Sequence, residues 1–121
     1  MTHERLHLGR WGEDLAARYL RRRGLKIVDR NVRTPVGELD IVARDRRTLV
    51  FAEVKTRRGL SHGFPQEAVG ARKQRQILRA AQWYLKQRNF DKLQPRFDVI
   101  AVRGDGQRAE IDHFPAAFDL G

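Results

Sequence analysis

The chain has no cysteine among its 121 residues. That excludes a disulfide framework, a thiolate nucleophile and any cysteine-ligated zinc site. Long apolar runs are missing too: nothing approaches the roughly 18 residues that a membrane-spanning helix needs. The opening "MTHERLHLGRWGED" lacks the apolar centre of a signal peptide. The expectation is a cytoplasmic protein with no membrane partner, residues 1–121 forming a single domain. Acidic residues are the last shortage. Fifteen Asp and Glu face 25 Lys and Arg, a net charge of +10. Such an excess suits a polyanion, most simply nucleic acid, although basic surfaces also serve solubility.

What is present orders itself into seven elements. Leu8, Trp11, Leu15 and Tyr19 recur with helical spacing over residues 5–24, and Gly24 supplies a stop. "LKIVDRNV" (25–32) reads as a strand. "ELDIVAR" (38–44) and "TLVFAEVK" (48–55) read as a hairpin joined by "DRR". The stretch 56–66, with Gly59, Gly63 and Pro65, predicts an exposed loop. A helix over about 67–88 follows, with Ile77, Ala80, Ala81 and Tyr84 on one face. "RFDVIAVR" (96–103) and "AEIDHF" (109–114) are strands around a "GDGQ" turn. The order α-β-β-β-α-β-β implies an α/β fold, a mixed sheet flanked by helices, with the second helix as a βαβ crossover.

Three ionisable residues interrupt these strands. Alternation puts Leu49, Phe51, Glu53 and Lys55 on one face and Val50, Ala52 and Val54 on the other. In the preceding strand it groups Leu39, Ile41 and Ala43 against Glu38, Asp40 and Val42. A hairpin then lets Asp40 approach Glu53. Two carboxylates in a partly dry pocket repel, and a divalent cation removes the conflict. Hard oxygen ligands suit Mg²⁺ or Mn²⁺, and Lys55 beside them can steady an attacking water or a charged transition state. The plainer alternative is a Glu53–Lys55 salt bridge with Asp40 in solvent. On the first helix Glu13 lies roughly 160° from Leu15, at the edge of the small and apolar side, either facing the sheet or serving as a flank carboxylate paired with an arginine. Asp14 falls instead among Arg10, Arg18 and Arg21.

Arg72, Arg75, Arg79 and Lys86 form a basic stripe on the second helix, separate from its apolar face. With Arg57, Arg58, Arg46 and Arg47 they are candidates for contact with a phosphate backbone. His3, His7, His62 and His113 show no ligand spacing and read as surface or loop residues. Trp11, Trp83 and Tyr84 read as core.

The combination "GRWGEDLAARYLRRRGLKIVDRN", "GELDIVARD", "LVFAEVKTRR" and "RFDVIAV" spans nearly the whole chain. It resembles the YraN-type family of small bacterial predicted endonucleases, within the restriction-endonuclease-like superfamily that includes archaeal Holliday junction resolvases. Asp40 followed by Glu53-Val54-Lys55 is the specific part. The resemblance implies a restriction-endonuclease-like mixed sheet, metal coordination by Asp40, Glu53 and the Val54 carbonyl, and a Lys55-assisted water. Glu13 corresponds to the helix glutamate that assists the metal in resolvase relatives. The expected activity is Mg²⁺- or Mn²⁺-dependent hydrolysis of DNA, branched or structured DNA included, with a homodimer as the expected unit. Two rivals remain: a non-catalytic nucleic-acid-binding module of the same fold, and a basic RNA- or ribosome-associated protein.

Overall fold

A computed structural model describes residues 3–59, 69–104 and 107–119, with side chains from residue 7 onward. Helix α1 (His3–Arg22) is followed by strands β1 (Lys26–Thr34), β2 (Gly37–Asp45) and β3 (Thr48–Arg58), helix α2 (Ala71–Gln87), and strands β4 (Gln94–Gly104) and β5 (Ala109–Phe118). The five strands form one mixed sheet in sequence order. β3 and β4 are parallel, with α2 as their crossover, and the other neighbours are antiparallel. This is the element order and the α/β architecture that the residue pattern predicts.

Both sheet faces are covered, which explains why β3 reads as apolar on each side. Leu49 and Phe51 join Ile77, Ala80, Ala81 and Tyr84 beneath α2. Val50 and Ala52 join Ala16, Ala17 and Leu20 beneath α1, with Val54 packed at the margin. Tyr84 is core as expected, while Trp11 and Trp83 are partly buried against it. α1 approaches β3 closely because residue 12 is glycine. A Cβ there would collide with the Thr56 side chain.

Two expectations need correction. Thr56, Arg57 and Arg58 are not loop: they extend β3 by pairing with Val102, Arg103 and Gly104 of β4. The rest of that stretch, residues 60–68, lies outside the described residues, as do the first two residues expected in the second helix. Alternation also fails in β2. Leu39 packs with Val42 on the α2 side, whereas Ile41 and Ala43 pack on the α1 side. The ladder to β3 ends at the Ile41–Ala52 pair, and beyond it β2 is held by β1 alone. Opposite Asp40, on β1, Asn31 takes a left-handed backbone (φ 53°) between the Arg30–Ile41 and Val32–Leu39 pairs. Arg46 and Arg47 turn the β2–β3 hairpin at the start of β3, while Arg57 and Arg58 close its far end.

Candidate active site

Where β2 parts from β3, the chain leaves a gap with Asp40 in its mouth. The Val54 backbone N–H would be orphaned by the lost pairing, and it donates instead to Asp40 Oδ2 at 2.9 Å. A strand residue's N–H and C=O point toward the same neighbour, so the Val54 carbonyl faces this gap as well. Asp40 therefore organises the split in place of backbone pairing.

Glu53 lies beside it, 6% exposed. Burial, first, and the Asp40 charge, second, push its carboxyl up to about 8, with Lys73 and Lys55 pulling the other way. The two carboxyls are within hydrogen-bonding reach of one another. A proton on Glu53 or a cation beside the pair relieves their repulsion.

Glu53 has an ion-pair partner, but it is not Lys55. Lys73, in the first turn of α2, places Nζ 3.7 Å from Glu53 Oε1. Lys55 is half-buried, acts on Glu53 through its charge, and forms no ion pair among the described residues. The strand-end Glu53–Lys55 bridge is thus replaced by a contact from a different element. Lys73 lies off the exposed arginine stripe, toward the buried arc of α2. Its helical phase was the one available sign of it.

Glu13 comes to Asp40 from the α1 side. Burial raises its carboxyl, Arg30 opposes that through hydrogen bonding, and the Asp40 charge adds to the rise. Its Oε1 is 3.2 Å from Arg30 Nε, and the same guanidinium reaches Asp14 Oδ1 at 2.6 Å. Asp14 is thus paired with β1 rather than with arginines of its own helix. Among the described residues no three His, Asp or Glu side chains are grouped to hold an ion alone. Asp40 and Glu53 form a two-carboxylate site, which with waters and one carbonyl is the donor set Mg²⁺ commonly takes. The donor chemistry fits.

Arg72, Arg75, Arg79 and Lys86 are all exposed, on the arc of α2 opposite its buried Ile77–Ala80–Ala81–Tyr84 face. Arg57 and Arg58 are exposed just beyond Lys55. His7 is exposed, and the side chains of His3 and His62 lie outside the described residues. His113 corrects the reading of a surface histidine: its side chain is only 12% exposed. Its Nε2 is 2.7 Å from Asp98 Oδ2 and its Nδ1 is 2.9 Å from the Tyr19 hydroxyl. Asp98 is fully buried, bridged by both arms of Arg96 and by the Ala116 N–H. Burial alone would raise its carboxyl, but these donors hold it down at about 2. The network ties α1 to β4 and β5, away from the carboxylate pair.

The relatives of this chain are small bacterial proteins of nearly the same length. It is 75% identical over 120 residues to a UPF0102 protein of Syntrophotalea carbinolica, covering 99% of this chain and 98% of that one. It is 53% identical over 114 residues to a UPF0102 protein of Geobacter metallireducens, covering 93% of each. A UPF0102 protein of Rhodococcus opacus is 48% identical over 119 residues, covering 98% of this chain and all of that one. The profile of "Uncharacterised protein family UPF0102" matches residues 12–102, a span that carries Glu13, Asp40, Glu53 and Lys55. The chain belongs to the UPF0102 family.

Proposed function

We propose that this chain is a Mg²⁺- or Mn²⁺-dependent nuclease that hydrolyses phosphodiester bonds of DNA. The observation that carries the reading is the Asp40–Glu53 pair. A carboxylate 94% removed from solvent, beside a second carboxylate, is costly to keep ionised, and a bound cation would offset that cost. Asp40, Glu53 and the Val54 carbonyl would hold the metal, which supplies Lewis-acid stabilisation of charge on the phosphoryl oxygens. Lys55 stands on the same strand face as Glu53, without a carboxylate partner among the described residues. It is free to orient a water or to meet the extra negative charge of the transition state. Glu13, braced by Arg30, adds negative potential at Asp40. Arg57, Arg58, Arg72, Arg75 and Arg79 are the candidates for phosphate contact outside the pocket.

The resolvase likeness adds branched DNA to the candidate substrates and a homodimer to the candidate assemblies, since paired strands call for paired sites. A cleavage panel tests the reading: linear, flapped, four-way and single-stranded DNA, and RNA, each with Mg²⁺, Mn²⁺ or EDTA. Metal-dependent cutting of any DNA that is lost in Asp40→Ala supports it. Binding without cutting under every metal condition would favour the non-catalytic module instead.

A further inference from the structure

Among the described residues Arg30, Arg33, Lys73, Arg88, Arg96 and Arg103 each have a carboxylate partner. At the end of the sheet where the β2–β3 hairpin turns, away from mid-strand Glu53, stand six cations that do not. Arg22 and Arg23 end α1, Lys26 begins β1, Arg44 ends β2, and Arg46 and Arg47 form the hairpin turn. All six are exposed, and none forms an ion pair with a described residue. Asp45 sits in the same hairpin, but its charge acts on Arg96. Register brings the group together: Lys26 pairs directly with Arg44, and Arg44 with Leu49 at the start of β3.

The Lys26–Arg44 pair is the telling one. Like charges directly opposite on neighbouring strands destabilise a sheet. Here an open crevice of about 560 Å³, lined by Asp45, Arg46, Arg47 and Thr48, adjoins them. From Arg47 to Glu53 is six residues of strand, about 20 Å. That distance equals about six steps of a nucleic-acid strand at 3.4 Å each.

We infer that this basic pole is a second nucleic-acid contact, holding the backbone of the duplex about half a helical turn away from the carboxylate pair. It rests on the nucleic-acid reading above but not on catalysis. The occupant is a polyanion with regularly spaced phosphates rather than a single anion, because the six cations come from four separate segments and do not converge on one point.

The test is binding of labelled, hairpin-closed duplexes of about 4, 6, 8 and 12 base pairs, which bracket the roughly six-step span, in EDTA, comparing the full chain with the triple variant Arg44→Gln, Arg46→Gln, Arg47→Gln. Parent affinity is expected to step up by about tenfold once the duplex spans both regions, and the variant to lose that step. The variant's log K against log salt slope should be shallower by about 2 to 3. Arg44→Gln alone relieves the repulsion from Lys26 but gives up the hydrogen bond that Arg44 Nε donates to the Arg46 carbonyl, so it should melt within about 3 °C of the parent. A folded variant of parent-like stability that binds DNA less well separates function from damage. An unchanged length step or salt slope in the variant overturns the proposal, as does a pole that captures phosphatidylserine vesicles while DNA binding is unaffected. If the chain shows the length step but never cuts DNA, the pole stands and the nuclease reading falls. If it cuts DNA without the step, the reverse holds.

Discussion

Lys73 Nζ lies 3.7 Å from Glu53 Oε1, while Lys55, two residues along the strand from Glu53, has no such contact among the described residues. The two lysines thus divide the electrostatic work. Lys73 offsets the buried carboxylate from the helix side. Lys55 is held by its strand, half-buried, with its ammonium uncommitted.

This division predicts how Lys55→Ala behaves. It should lower cleavage by about 10²–10³ or more while changing DNA affinity little, because one phosphate contact among several is a small part of binding. Stability should hardly move, since no described carboxylate loses an ion pair. Single-turnover cleavage and equilibrium binding, run beside thermal melts, read all three. A Lys55→Ala protein that cuts like the parent removes Lys55 from the mechanism.

The α2 stripe makes a separate claim. Arg75 and Arg79 are exposed and belong to no core packing. Replacing both by Ala should flatten the salt dependence of duplex binding by about 1 to 2 in slope, uniformly across sequences. Melting should stay within about 0.5 kcal/mol of the parent. Salt-independent binding, or a slope unchanged in the variant, would assign these arginines to solubility.

Asp98 is expected to be structural. Its carboxyl is held at about 2 against an ordinary 3.8, so it contributes stability above the unfolded value that is lost as pH falls through about 2. Asp98→Asn removes the charge and leaves one acceptor oxygen, with an NH2 donor turned toward Arg96 and His113 or Ala116, and should cost roughly 3–5 kcal/mol at neutral pH. Metal affinity should be spared. Denaturant melts at pH 7 and pH 2.5 check this: the penalty should shrink at the lower pH.

Much of this was legible from residue order. Apolar periodicity located both helices and all five strands, and the charges breaking β2 and β3 marked the site. What periodicity could not supply were contacts made across elements. Lys73, Arg30 and Asp98–His113–Tyr19 come together only after the sheet closes, and no spacing in one segment announces them. Leu39 was misplaced for a different reason. Alternation assumes a continuous ladder, and the ladder stops at Ile41 because Asp40 takes the Val54 N–H. Arg57 and Arg58 looked like loop because Gly59 follows, yet β4 is long enough to pair them. The candidate site is thus where local pattern and tertiary structure disagree, as expected for a site that departs from what folding alone favours.

The carboxylate pair itself carries the sharpest expectation. Glu53 binds its proton more tightly in the folded chain, at about 8, than the ordinary 4.5 of an unfolded one. Folding therefore gains stability from this group that is fully present below pH 4.5 and is lost as pH rises through about 8. The parent should lose a few kcal/mol between pH 5 and pH 8.5, relative to Glu53→Gln, which keeps the shape and a hydrogen bond to Asp40 but cannot ionise. Subtracting the variant cancels Glu13, whose carboxyl is also raised but is intact in both proteins. Millimolar Mn²⁺ should then restore the parent at pH 8.5, because a dication takes the place of the lost proton, and should do much less for Glu53→Gln. Lys73→Met should deepen the parent's loss at high pH, having removed the one ion pair Glu53 makes among the described residues. Urea melts of the three proteins at pH 5, 7 and 8.5, with and without Mn²⁺, measure every arm. If the parent and Glu53→Gln lose stability in parallel, Glu53 does not titrate in this window. If Mn²⁺ stabilises both equally, the ion is not bound at the Asp40–Glu53 pair.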